Sequence, residues 1–233
     1  MNKKTLGIIV GVVIIILVVV IVISSKRDNS SGSLVSSVSF LNEADQALKG
    51  GDIIKAKSLY KESMAAISSA NKLQEIQDKI DEINMKIIFS LVKDDCSVMY
   101  TVKSGDSLSK IAKKFNTEVN LIKKVNNLTS TTIRTGQILK VNTCPFSVVV
   151  DKSQNLLFLK RKGEVIKTYL VATGKDNNTP IGEFKIVNKL EKPTWYKTGA
   201  VISPDSPENI LGSRWMGFDL KGYGIHGTLN PRV

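Results

Sequence analysis

Hydrophobic and polar positions change period along this chain, and each change marks an element. Leu6 to Ile23 is eighteen residues of Leu, Ile, Val and Gly without a charge. At 1.5 Å per helical residue, that run reaches about the minimum length for crossing a bilayer. A cleaved leader has a shorter apolar stretch and a small-residue cleavage site, of which Ser24-Ser25 is a poor version. The pattern predicts a tail over 1–5, an uncleaved transmembrane anchor over 6–23 and a Ser-rich linker over 24–33.

From 34 to 93 the period is helical. Leu34, Val38, Leu41, Ala44 and Leu48 form one stripe. Gly50-Gly51 stops that helix and Asp52 can cap the next. Ile53, Ala56, Tyr60, Met64 and Ile67 form a second stripe, and Leu73, Ile76, Ile80, Ile83, Ile87 and Leu91 a third.

From 96 to 144 short strands flank helices. Tyr100-Thr101-Val102 alternates as a strand, and Ser104-Gly105-Asp106-Ser107 reads as a turn that ends in capping residues. Leu108, Ile111, Ala112 and Phe115 make one helical stripe; Val119, Ile122 and Val125 make another. Asn126-Asn127-Leu128 ends the second helix, and Gly136 to Val141 is a closing strand. From 145 to 233 strand patterns alternate with Gly and Pro: Ser147–Asp151, Leu156–Leu159, Val165–Val171 and Thr179–Ile186. Such spacing argues a β-rich core. The fold class is multidomain: an N-terminal transmembrane helix, a small all-α segment, an α+β module of βααβ order, and a β-rich domain.

Charge changes the picture next. The net charge is +12, with eight basic residues against eight acidic over 34–93. The balance is eight to two over 96–144 and thirteen to eight over 145–233, so the C-terminal two-thirds calls for a polyanionic partner. Nucleic acid is the usual first thought. The cysteines argue against it. Cys96 and Cys144, the two in the chain, flank one compact segment, and an even pair outside the cytoplasm suggests a disulfide. A bridge closing such a loop stabilises by about 4 kcal/mol in the chain-entropy model. It also decides orientation, since Lys3 and Lys4 nearly balance Lys26 and Arg27 across the apolar run. The bulk of the chain is therefore expected outside the membrane, in periplasm or cell wall, with nucleic acid excluded as a natural partner.

Candidate chemistry gathers at the end. His226, the single histidine, stands in Gly222-Tyr223-Gly224-Ile225-His226-Gly227. Imidazole titrates near neutrality without help, which makes His226 the cheapest general base at pH 7. No cluster of ligand residues suggests a metal, and no cofactor is expected.

Three resemblances follow. Ala47-x-x-Gly50-Gly51-Asp52-x-x-x-Ala56-x-x-Leu59-Tyr60 resembles a tetratricopeptide-type helical hairpin over barely more than one repeat. It implies a spacer or docking module, and a plain three-helix bundle fits as well. Tyr100-Thr101-Val102-Lys103-Ser104-Gly105-Asp106-Ser107-Leu108, Ile111-Ala112, Asn126 and Gly136-Gln137-Ile138-Leu139 resemble the LysM family. That implies a module over 96–144 binding N-acetylglucosamine glycans such as peptidoglycan, with Gly105, Asp106, Ser107, Leu108, Asn126 and Asn127 at the groove. Thr135 stands where the family often has Pro.

Segment 145–233 resembles the L,D-transpeptidase catalytic domain. The carriers are Val149-Val150-Asp151-x-x-Gln154-x-Leu156, Ala172-Thr173-Gly174-Lys175, Thr179-Pro180-Ile181-Gly182-Glu183-Phe184, Asn209-Ile210-Leu211-Gly212 and Gly224-Ile225-His226-Gly227-Thr228. The resemblance implies cross-linking of peptidoglycan stem peptides through a cysteine acyl-enzyme, with His226 as base and Gly227 beside it. The family's Ser-His-Gly-Cys nucleophile motif is absent from these 233 residues, and Cys144 precedes the first strand of the domain. Two expectations follow. Either the catalytic domain is truncated at Val233, favoured by the interruption just after an intact His motif, or the domain is a degenerate, non-catalytic one in a glycan-binding wall protein.

Overall fold

A computed structural model describes residues 32–228. The expected tail, the anchor over 6–23 and nearly all of the linker lie outside the described residues. Among the described residues no helix is long and apolar enough to cross a membrane. The described chain forms two compact units, one through Tyr169 and one from Leu170 onward.

The first unit begins with three helices, α1 (Gly32–Lys49), α2 (Ile53–Ser63) and α3 (Ala70–Ile88). Asp52 caps α2 by accepting the Lys55 N–H at 3.0 Å, and Gly51 takes the left-handed φ of 83° that the turn requires. The predicted stripes meet in one core of Ala44, Ile53, Ala56, Leu59, Tyr60, Ile76, Ile80, Ile83 and Ile87. Buried Tyr60 donates its hydroxyl to Asp45, which Lys79 also reaches at 3.0 Å. Leu41, Leu48, Met64 and Ile67 pack against that core partly buried, and two further stripe members face water. Val38 is exposed, and Leu91 is exposed because α3 stops at Ile88.

The LysM-like segment follows as β1 (Ser97–Thr101), α4 (Leu108–Lys114), α5 (Val119–Val125) and β2 (Ile138–Asn142). The strands are antiparallel, with Ser97 opposite Asn142 and Thr101 opposite Ile138. β1 therefore runs three residues further toward Cys96 than the alternation alone predicts. Full strand pairing brings Cys96 and Cys144 together, and they form a disulfide. The small core is Val102, Leu108, Ile111, Ala112, Ile122, Leu139 and Val141.

Next come β3 (Phe146–Asp151), β4 (Leu156–Arg161) and β5 (Glu164–Leu170), in spatial order β3-β4-β5. The Lys162-Gly163 turn has φ of 52° and 84°, the signs a two-residue type I′ hairpin needs. The edge of β5 does not stand open to water. Asn84 on α3 donates to the Ile166 carbonyl at 3.1 Å, and the Asp81 carboxylate accepts the Thr168 N–H. Arg161 of β4 reaches Asp94 at 2.6 Å and the Cys96 carbonyl at 2.7 Å. Lys140 of β2 is buried and donates to the Ile87 carbonyl in the last turn of α3 and to the Ser90 carbonyl just past it. Burial pushes its ammonium pKa down. Helices, βααβ segment and first sheet are thus tied by buried polar bonds as well as by the chain.

The second unit holds β6 (Ile186–Glu191), β7 (Trp195–Lys197), β8 (Ala200–Ile202), β9 (Arg214–Phe218) and β10 (Gly224–His226). One sheet has the order β10-β9-β6, and β7-β8 is a hairpin. The expected strand over Thr179–Ile186 is loop up to Lys185; only at Ile186 does the ladder with β9 begin. Pro180 and Gly182, the latter at φ 142°, work against strand pairing there.

Candidate functional site

His226 ends β10, opposite Trp215 of β9. Facing positions on one side of an antiparallel pair place side chains next to each other. The imidazole lies over the indole, ring centres 5.8 Å apart and planes 15° from parallel. The His226 Nδ1 is 2.6 Å from the Gly227 carbonyl oxygen. A carbonyl only accepts, so Nδ1 carries the proton when the ring is neutral, and Nε2 holds the free lone pair. Nε2 is thus the nitrogen able to take a proton from a nucleophile, and the ring is exposed.

The loop beneath is fixed by main-chain proximity. Gly227 donates to the Leu211 carbonyl at 2.8 Å. A Cβ built on Gly227 would stand 3.0 Å from the Leu211 oxygen and 3.2 Å from the Gly212 Cα. Gly212 itself has a φ of 65°. Asn209 is buried and anchors the loop, donating to the Pro193 and Ser203 carbonyls and accepting the Leu211 N–H. The Asn209–Gly212 and Gly224–Thr228 motifs, separated by residues 213–223, are therefore one local structure.

On the βααβ segment the six named groove residues divide by what their side chains already do. Asp106 accepts both the Tyr100 hydroxyl and the Lys103 N–H at 2.8 Å. Those bonds, the Lys103 N–H first, hold its carboxyl below the usual range, and Asp106 in turn raises the Tyr100 phenol. Ser107 caps α4 by accepting the Lys110 N–H, and the Lys110 amine donates to the Gly105 carbonyl at 2.7 Å. Asn126 bridges α5 and β2, bonding the Ile122 carbonyl and both main-chain groups of Lys140. Asn127 turns the chain at φ 52°. Leu108 is 2% exposed in the small core, so it can offer a ligand only its main chain. These residues shape two turns. A shallow, open pocket of about 510 Å³ on the same segment is lined by Ser130, Thr132, Arg134, Thr135 and Gln137, none of them among those six. Sequence reading missed Ser130, Thr132 and Arg134, which follow no period, and Trp215, whose alternation in Arg214-Trp215-Met216 is a readable strand signal.

Comparison with known proteins bears on both places. The LysM domain model matches residues 100–142, and the L,D-transpeptidase catalytic domain model matches 145–232. The Bacillus subtilis protein YkuD, named provisionally as an L,D-transpeptidase, is 31% identical over 139 residues, covering 57% of this chain and 76% of that protein. The chain belongs to the L,D-transpeptidase family. A second Bacillus subtilis protein, YqjB, carries the same provisional name; it is 47% identical over 87 residues, 35% of this chain, and the chain spans 48% of its length. The cell wall-binding protein YocH of Bacillus subtilis is 46% identical over 56 residues, 24% of this chain and 20% of that protein. In this chain both cysteines are consumed by the Cys96–Cys144 bridge, so its 233 residues present no free thiol.

Proposed function

We propose that this chain belongs to a wall-directed L,D-transpeptidase that cross-links peptidoglycan stem peptides, with the LysM module holding it on N-acetylglucosamine glycan. Leu6–Ile23 would anchor it in the membrane with residues 24–233 outside, and the helical segment would carry the two domains. The observation that supports this reading best is the His226 Nδ1–Gly227 contact, which leaves Nε2 ready to act as a base. In the reaction, Nε2 takes the proton of a cysteine thiol, a group that these 233 residues do not present free. The thiolate attacks the amide carbonyl before the terminal D-residue of a donor stem. The C–N bond breaks, the imidazolium returns its proton to the leaving amine, and a thioester remains. An amine of a neighbouring stem then attacks the thioester, its proton passes to Nε2, and the thiol is released.

The test is the intact mass of the native protein before and after a carbapenem-type acylating probe. A single adduct that disappears in His226→Ala supports the reading; undiminished labelling of His226→Ala overturns the role of His226. The bridged cysteines favour a second reading for a protein that ends at Val233, a glycan-binding wall protein without catalysis. A native mass equal to these 233 residues, with glycan binding and no adduct, would establish that reading instead.

A further inference from the structure

The charge on the LysM module is more one-sided in space than in sequence. Of its eight basic residues, Lys140 is buried against α3. Of its two acidic residues, Asp106 is spent on Tyr100 and the Lys103 N–H. Exposed Lys103, Lys110, Lys113, Lys114 and Lys124, with half-buried Lys123, then face outward against Glu118 alone among the acids.

Helix geometry sorts them. α4 turns Leu108, Ile111 and Ala112 into the core, which leaves Lys110, Lys113 and Lys114 on its outer side at i, i+3 and i+4 spacing. α5 buries Ile122 and Val125 and leaves Lys123 and Lys124 at its C-terminal end. Several of these cations are held in place. The Lys114 amine lies 4.7 Å from the centre of the Tyr100 ring, and the Lys124 amine 4.2 Å from that of Phe89. Lys110 is bonded to the Gly105 carbonyl. Ordered cations lose less side-chain entropy when they bind.

We propose that these lysines form a second binding face on the LysM module, next to the glycan turn, for a linear phosphodiester polymer of the cell wall. Ammonium groups act as point charges and suit a flexible chain of phosphates, with no base or planar group to read. The choice of a wall polymer over nucleic acid rests on the extracytoplasmic placement in the proposed function.

The experiment uses the full chain, with polyphosphate as soluble probe and N-acetylglucosamine oligomers as the separate glycan probe. Polyphosphate affinity should fall linearly with salt on a log–log plot. The variant K113Q/K123Q/K124Q should bind polyphosphate about tenfold more weakly and flatten that slope, with glycan-oligomer affinity unchanged. If the variant loses both, Lys113→Gln alone must still weaken polyphosphate by about threefold. Unchanged polyphosphate affinity, or affinity indifferent to salt, overturns the proposal. Cell walls stripped of phosphodiester polymer by hydrofluoric acid should retain less protein than intact walls; equal retention overturns the wall polymer as source. Failure of the unmodified chain to bind glycan oligomers counts against the proposed function and not against this face.

Discussion

Asp81 on α3 accepts the main-chain N–H of Thr168 on β5 at 3.1 Å. One turn along the same helix, Asn84 donates to the carbonyl of Ile166. The two side chains supply the acceptor and donor that a neighbouring strand would offer a sheet edge, at matching intervals of i, i+3 on the helix and i, i+2 on the strand. An edge dressed in this way is a poor template for pairing with other chains.

The Asp81 carboxylate should reveal itself in the pH dependence of stability. Burial raises its pKa above the ordinary 3.8, against the hydrogen bonds from Gln77 and the Thr168 N–H. The folded state therefore holds the proton more tightly than the unfolded state. The contribution is full below pH 3.8 and is lost as pH rises through the folded value. Asp81→Asn keeps an acceptor and removes the charge. Urea titrations from about pH 4 to pH 7 should show wild type losing stability relative to Asp81→Asn as pH rises. Asp81→Ala should cost about 1–3 kcal/mol, because the Thr168 N–H loses its partner. A constant gap between wild type and Asp81→Asn across that range would contradict the argument.

Arg161 and Asp94 make the opposite case, a pair in which both members are shielded from water. Their side chains are 6% and 17% exposed. Burial opposes ionisation of Asp94, yet the bonds from Ser97 and Arg161 outweigh it and hold the carboxyl below its usual value. Removing one member of such a pair strands the other. Arg161→Ala should destabilise the first unit by about 3–5 kcal/mol, and Arg161→Ala with Asp94→Ala by less. Chemical denaturation of the single and double variants provides the check.

The turn proposed to hold glycan has a test of its own. Asp106 joins Tyr100 to the Lys103 N–H, and its depressed pKa gives stability that is present above pH 3.8 and lost as pH falls through the folded value. Tyr100→Phe removes one bond to that carboxylate and leaves the ring packed against Phe115. The expected result is weaker binding of N-acetylglucosamine oligomers by a few-fold with the fold intact. If affinity is unchanged, the carboxylate acts only on stability.

Legibility followed the range of the interaction. Asp52 as cap, Ser107 at the start of α4, the Lys162-Gly163 turn and the helical stripes depend on residues a few positions apart, and each was readable in the sequence. The Cys96–Cys144 bridge was readable because two strands with cysteines at their outer ends must bring them together. Asp81, Asn84, Arg161 and Lys140 were not readable. Their partners lie 50 or more residues away, and on a helical wheel Asp81 and Asn84 look like polar residues on a solvent face. Trp215 under His226 is nearer in sequence, and its strand could be read, but only the strand register reveals the pair. His226 itself stood out by composition, whereas its contact with the Gly227 carbonyl needed the structure.

The placement of His226 depends on two glycines touching, and one added methyl group should disturb it. Gly227→Ala puts a Cβ 3.0 Å from the Leu211 oxygen and 3.2 Å from the Gly212 Cα. Neither neighbour is the end of a flexible side chain. Relief requires the Gly227 N–H to leave the Leu211 carbonyl, and with it the Gly227 carbonyl that fixes Nδ1. The expected cost is about 1–3 kcal/mol, the usual scale for overpacking. The sharper readout is the nitrogen NMR of the single histidine. Wild type should show the Nδ1–H tautomer in the neutral ring, and Gly227→Ala should shift the mixture toward Nε2–H, the form ordinarily preferred in water. Since Nε2–H carries its lone pair on the wrong nitrogen, the variant should also slow any acylation that depends on Nε2 as base. An unchanged tautomer in Gly227→Ala would mean that Trp215 stacking alone holds the ring, and Trp215→Leu would then be the substitution that releases it.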